Sequence, residues 1–340
     1  MHMSYFDAFG RRFPMKLAKI AALAALPLCV GAASAEELRL SHQFAPGDLR
    51  HRVAQMVADD VAAADVDLSI RIFPSGSLFK ATEQYVPLTR GQLDMTVLPL
   101  SYAGGQRPEY NLTLMPGLIK SHDHAARVND SPFMEEIERL LNEDDAMTLV
   151  RGYLAGGFAS TGECITRPEH VQGKTVRAAG KGFEEMLQAA GASIASMPSS
   201  ETYNAMQQNV LQALNTSSSS FVSFRLQELA KCYTPASDVA LWFMYQPILI
   251  NKTTFEQLSP EQQEALRAAS ERAEAYYFEE AKKEDAASIE VFREAGVEIA
   301  EMTQEDFDAW RTLAESSSYR LFVEQVPDGQ KLLDMALSVE

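Results

Sequence analysis

Arg177 is the residue around which the chemistry of this chain can be read. It ends a short apolar stretch, residues 174–176, that reads as a strand, and a helix-like run, GFEEMLQAA at 182–190, follows it. A second strand is read over 193–197 and stops at Pro198. Ser199 or Ser200 then caps a helix expected to run through Tyr203, Met206 and Val210 towards Leu214 and Asn215. Strand, helix, strand, helix places an arginine at the carboxyl end of a strand, where open α/β sheets hold their ligands. A guanidinium there offers a planar, five-donor fork that matches a carboxylate with two parallel hydrogen bonds. The alternative is a surface arginine paired with a nearby glutamate.

Further candidates follow from position. Asn215 and Thr216, expected just beyond the end of that helix, can offer donors and acceptors to a ligand or simply cap the helix. Trp242 and Tyr245 lie in the apolar run 238–251 and could form a flat wall of a pocket or plain core, and Phe158 has the same two readings. Gln43, after the first strand, and Ser101 and Tyr102, after the third, fall on the facing lobe by the strand-end rule. His122 and His124 tempt a metal reading, but two residues apart they point to different sides of a helix, so a helix start capped by Asp123 is the simpler expectation. No G-x-S-x-G and no H-E-x-x-H is present, which argues against a secreted hydrolase. The reading is of a binding protein, not an enzyme, with no metal and no cofactor.

The elements that would position these residues are α/β throughout. LRLSH at 38–42 and LSIRIF at 68–73 alternate as strands, and DMTVLP at 94–99 is an apolar third. Helices read over 51–63 and 82–90, the second closed by Gly91, separate them. The resulting β-α-β-α-β order implies a parallel, doubly wound sheet. A helix is expected over 125–141 and a strand over 147–154 that continues into Phe158. The run 238–251 reads as one long strand or two that return to the first lobe. Ser259-Pro260-Glu261-Gln262 is a capping box with proline in the first turn, and no Pro or Gly follows until Gly296. One helix of that length would run roughly 50 Å at 1.5 Å per residue, against about 30 Å for a domain of ordinary size, and so would lie across two lobes. A break near Glu284-Asp285 is the alternative. A strand over 297–300 and two helices close the chain.

The chain has 340 residues and a net charge of −17. Residues 1–35 carry four basic groups and one acid, an apolar run at 17–31 and a small-x-small pattern at Ala33-Ser34-Ala35. That is the layout of a cleaved secretory signal, with Met15 an alternative start. What remains is strongly acidic, which excludes nucleic acid and anionic membrane surfaces as partners, and nothing in it would insert into a bilayer. Cys164 and Cys232 are left as either one disulfide in an oxidising compartment or two buried thiols.

Taken together, GKTVRAAG, GASIASMPSSETYNAMQQNVLQALN and LQELAKCYT resemble the core of the solute-binding proteins of tripartite ATP-independent periplasmic (TRAP) transporters, dicarboxylate-binding type. Glu201, Tyr203, Ala205, Glu228 and Lys231 fall in register with that family's pattern, and LRLSHQFAPGD, FPSGSLF, RGQLDMTVLP and INKTTFEQLSPEQQEALRAAS resemble its other segments. The resemblance implies two doubly wound lobes of periplasmic-binding-protein type, joined by hinge strands and a helix at about 260–295. It divides the chain into a signal segment 1–35, a first lobe 36–155, a second lobe 156–245 and a return 246–340. It also implies capture of a small organic acid in the periplasm and delivery to a small and a large membrane subunit, with Arg177 on the carboxylate-binding arginine. A secreted sensor component is the remaining alternative. Where the family often carries a second arginine, this chain has Gly157 and Phe158, and the usual Glu-Asn pair is Asn215-Thr216. The pocket has therefore lost a cation and an acid, and the ligand expected is a monocarboxylate or an aromatic acid.

Overall fold

The computed structural model describes residues 36–236 and 240–339. The expected signal segment and Asp238 lie outside the described residues. Among those described, the strands in chain order are β1 (Glu36–Ser41), β2 (Leu68–Phe73), β3 (Met95–Val97), β4 (Ala146–Val150), β5 (Tyr153–Ser160), β6 (Thr175–Ala178), β7 (Ser193–Ser196), β8 (Ala213–Ser217), β9 (Cys232–Thr234), β10 (Trp242–Tyr245), β11 (Ile248–Asn251) and β12 (Glu298–Ile299). They form two sheets. One has the order β2-β1-β3-β11-β4; the other runs β12-β9-β5-β8-β6-β7, with β10 paired to β5.

The first sheet grows from the alternation seen at its start. β1 pairs in parallel with β2 and with β3, as crossover connections through helices require. The helix Leu49–Ala63 is capped by Asp48, whose side chain accepts from the Arg50 N–H. Its buried face, Leu49, Val53, Ala54, Val57 and Val61, covers the sheet. The expected helix at 82–90 is confined to Tyr85–Thr89, with Gly91 in the left-handed region at φ +65°. The expected helix at 125–141 is two, His122–Asn129 and Pro132–Glu143, because Ser131-Pro132 stops one and caps the next. Ser121, not Asp123, caps the first of them, and Asp123 instead pairs with Lys282 at 2.9 Å. His122 and His124 do part company: His122 meets Asp285 at 2.6 Å and His124 the Val339 carbonyl at 3.0 Å.

Two chain crossings join the sheets. The stretch expected as one strand from 147 to 158 is divided at Arg151-Gly152, so that β4 belongs to one sheet and β5 to the other. The apolar run 238–251 is likewise two strands, parted at Gln246-Pro247. The crossings touch, since Gln246 N–H donates to the Gly152 carbonyl at 2.7 Å. Gly152 is required here: a Cβ on it would lie 1.9 Å from the Tyr277 ring. Tyr277 comes from the helix Pro260–Glu294, which is continuous over 35 residues and opens on the Ser259/Gln262 capping box. This helix is held to Leu49–Ala63 from Arg272, paired with Asp60, to Glu284, paired with Arg52, and further on its Phe292 enters the cluster of Phe221 and Tyr233 behind the second sheet. It thereby braces both lobes.

In the second sheet the helix after Pro198 is short. It spans Thr202–Gln207 and stops at Asn209, which takes φ +57°, a left-handed residue of the kind that ends helices. Asn215 and Thr216 therefore stand in β8, not beyond a helix end. Cys164 and Cys232 are joined by a disulfide that ties the loop after β5 to β9. No helix of the described residues is long and apolar enough to cross a membrane.

Candidate functional site

The carboxyl ends of β1 and β3 face the carboxyl ends of β6 and β8 across a cleft of about 560 Å³ lined by Ser101, Tyr102, Gly180, Lys181, Met197 and Pro198 among others. Arg177 comes from the second sheet, at the end of β6, and is fully buried. Its Nε donates to the Met197 carbonyl at 2.9 Å, one Nη to the Asn215 carbonyl at 2.7 Å and the other to the Tyr102 hydroxyl at 2.9 Å. A guanidinium carries five N–H groups, so two are left without a protein acceptor. Among the described residues no Asp or Glu forms an ion pair with it. The alternative of a surface arginine held by a glutamate is thus set aside.

Tyr102 reaches Arg177 from the opposite lobe, on the turn Leu100–Ala103 that follows β3. Its hydroxyl also accepts the Ser199 N–H at 3.2 Å. Burial by itself would raise the phenol, but the Arg177 cation and the Ser199 N–H outweigh it and hold Tyr102 below the ordinary tyrosine value. Gln43 lies alongside, buried, its amide near enough to the Tyr102 hydroxyl to help lower it but within full hydrogen-bond distance of no protein group. Ser101 approaches the far lobe as well: a Cβ on Gly180 would lie 3.2 Å from its Oγ, and that Oγ has no partner.

Asn215 turns its Oδ1 to the Ala179 N–H at 3.1 Å and leaves Nδ2 unpaired. Thr216, next along β8, points to the other face of the sheet by strand alternation, so the two do not act as a pair. Trp242 pairs with Gly156, where a Cβ would lie 2.6 Å from the indole, and its buried Nε1 has no partner. Buried polar groups in proteins are rarely unpaired. Here Gln43, Ser101, Asn215 and Trp242 all are.

Two expected wall residues are engaged elsewhere. Phe158 stacks on Trp310 with ring centres 5.6 Å apart, and Tyr245 packs on Tyr153 at 4.9 Å while its hydroxyl reaches Thr148 in the first sheet. Gly157 could not be an arginine in this backbone, because a Cβ there would lie 1.9 Å from the Thr234 carbonyl. The backbone groups of Met197, Ser199 and Ala179 that complete the site carry no side-chain signal and were not readable. Beside the cleft, Arg50 is also fully buried, but it is ion-paired to Asp48 at 2.6 Å and bonded to Gln246 at 2.7 Å and Ser220 at 2.8 Å, which leaves it a single spare N–H. Ser223 donates to Asp48 at 2.7 Å, so this pair too is shared between the lobes. Lys181, the cation on the cleft wall among the described residues, is held by Glu185 at 3.6 Å and has no fork like that of Arg177.

The sequence profile of the bacterial extracellular solute-binding proteins, family 7, matches residues 40–325. A solute-binding protein of Albidiferax ferrireducens is 33% identical over 321 residues, covering 93% of this chain and 95% of the relative. The crystal structure of a TRAP periplasmic solute-binding protein from Rhodoferax ferrireducens, with bound malonate, superposes with a TM-score of 0.86 at 34% identity, over 89% of this chain and 98% of that one. A Bordetella pertussis extracytoplasmic solute receptor binding pyroglutamic acid shares the fold at a TM-score of 0.81 and 18% identity, over 89% and 99%. On the match along nearly all its described length, this chain belongs to family 7 of the bacterial extracellular solute-binding proteins.

Proposed function

We propose that this protein is the extracytoplasmic binding subunit of a TRAP transporter, exported by a signal at 1–35, that takes a small organic acid between its lobes and passes it to a small and a large membrane subunit. The observation that carries the reading is Arg177: a cation buried behind the inter-lobe cleft and bonded to its lining residues Met197 and Tyr102, without an acidic partner and with two N–H groups to spare. A desolvated charge of this kind calls for an anion, and two parallel N–H groups suit a single carboxylate. Membership of a solute-binding family, and the malonate held by the Rhodoferax ferrireducens protein, support a carboxylate ligand.

The rest of the ligand is polar and uncharged on this reading. The unpaired Gln43 amide, Ser101 hydroxyl, Asn215 amide and Trp242 indole would each find a partner in hydroxyl, carbonyl or amide groups. On the cleft wall a second carboxylate would meet a single described cation, Lys181, which Glu185 already holds at 3.6 Å. An aromatic remainder has less support, since Phe158 and Tyr245 are packed away from the cleft.

A thermal-shift screen tests this with pyroglutamate, glucuronate, lactate, malonate and succinate. A bound acid at 100 times its dissociation constant raises stability by about 2.7 kcal/mol. Pyroglutamate, glucuronate or lactate should raise the melting temperature, and Arg177→Gln, checked for an intact fold by circular dichroism, should lose the rise. Silence from every acid would reject the carboxylate reading, and stronger binding of malonate or succinate would reject the single-carboxylate part of it.

A further inference from the structure

Tyr102 is placed where a ligand oxygen would be expected. Its hydroxyl oxygen receives one Arg177 N–H at 2.9 Å and the Ser199 N–H at 3.2 Å, both from the lobe opposite its own. Two donors, one of them cationic, converging on one oxygen form a cradle suited to a carboxylate oxygen. Tyr102 fills that cradle with a neutral phenol, and the two remaining Arg177 N–H groups are left over. We propose that Tyr102 is a specificity and closure residue: its hydroxyl shares the Arg177 fork with the ligand's carboxylate, so that one guanidinium reads both the bound acid and the closed lobes. This rests on the carboxylate reading above.

Two consequences separate this role from mere packing. When Tyr102 becomes Phe, closure leaves an Arg177 N–H and the Ser199 N–H unpaired in a buried place, so the acid should leave faster while its rate of arrival stays the same. At alkaline pH the phenol ionises, and a phenolate on the same fork competes with the carboxylate. The groups around the hydroxyl are Arg177, the neutral Gln43 amide and the Ser199 backbone; Lys181 and Glu184 line the same cleft farther out. Arg177 and the Ser199 N–H hold the phenol below its usual value, whereas burial drives Tyr85, Tyr110, Tyr153 and Tyr277 upward. Binding by the wild type should therefore weaken at a pH below the ordinary tyrosine range.

The experiment measures association and dissociation rates of pyroglutamate and malonate for wild type, Tyr102→Phe and Ser199→Pro over a pH series. Ser199→Pro removes the N–H and the side-chain hydroxyl together, and Pro198 before it has the extended ψ of 156° that a residue preceding proline needs. Tyrosinate absorbance is titrated in parallel on the acid-free proteins. The expected result is roughly 10- to 100-fold weaker binding for Tyr102→Phe, carried by dissociation. A smaller loss is expected for Ser199→Pro. The alkaline decline should disappear in Tyr102→Phe, and the difference titration of wild type against that variant should show one tyrosine ionising early. Equal dissociation rates for wild type and Tyr102→Phe, or superimposable titrations, overturn the proposal while leaving the carboxylate reading in place. If the wild type binds neither acid nor any other in the panel, both fall together; a Tyr102→Phe chain that fails to melt cooperatively transfers the decision to Ser199→Pro and the absorbance titration.

Discussion

At the scale of single residues, His42, next to Gln43, pairs with His51, and the hydrogen bonds around the two rings imply where their protons sit. Phe44 N–H donates to His42 Nδ1 at 3.1 Å, so the His42 hydrogen is on Nε2, and it points at His51 Nδ1 3.2 Å away. A further proton on His42 would break one of these contacts inside the core. Burial, with the neighbouring His51, holds His42 down to about 3, and burial lowers His51 as well. The sign follows from linkage. Both rings stay neutral when folded at a pH where the unfolded chain takes up protons, so their contribution to stability is present above about pH 6.5 and is lost as pH falls towards 3. His42→Asn, which keeps an acceptor for Phe44 N–H, should flatten the fall of the urea midpoint between pH 6.5 and 4; an unchanged slope would show that His42 is not the group responsible. Such pairing was not legible in the sequence, where His42 and His51 are nine residues apart on a strand end and a helix. The strand-end rule placed Ser101 and Tyr102 on the facing lobe, where they line the cleft, and the structure sets Tyr102 beside Arg177 and Gln43. The rule could not say which face of β5 or β10 is presented, and so it left Phe158 and Tyr245 open between pocket wall and core; Phe158 packs on Trp310 and Tyr245 on Tyr153.

At the scale of elements, what was legible had a periodic or capping signal. The β1–β3 unit alternates, and the Ser259-Pro260-Gln262 box starts a helix that runs unbroken to Glu294. What was missed lacks such a signal. β8, ALNTS, is buried along its whole length yet polar in three of five positions, so neither alternation nor an apolar run announces it. The crossing at Arg151-Gly152 has no proline; one charged residue and the glycine after it are all that mark it. That glycine makes a firm prediction. Gly152→Ala drives a methyl into the Tyr277 ring, which is itself wedged between core residues and unable to swing away. Overpacking of this kind costs roughly 1–3 kcal/mol. A chemical-denaturation curve should show that loss, and Tyr277→Leu should recover part of it in the double variant. A Gly152→Ala protein as stable as the parent would mean that the two crossings are looser than the geometry indicates.

At the scale of the whole molecule, the two lobes are built from unequal lengths of continuous chain. The second sheet is nearly all local: β5 to β10 lie between Tyr153 and Tyr245, and only the edge strand β12 comes from farther on. The disulfide, 68 residues apart in sequence, lies within the same segment. The first sheet is different. β11 sits in its interior, between β3 and β4, and arrives about a hundred residues after β4. Until residue 251 has emerged, that sheet is two separate halves with open edges. A chain threaded through a membrane from its amino end would therefore assemble β5 to β10 of its second sheet before its first sheet receives its inner strand. Pulse-labelling hydrogen exchange during refolding should find amides of β5, β6 and β8 protected before those of β3 and β4; the reverse order would mean that the first lobe nucleates without its inner strand. While it waits, the unfinished half keeps the chain pliable, which is the state an export channel can accept.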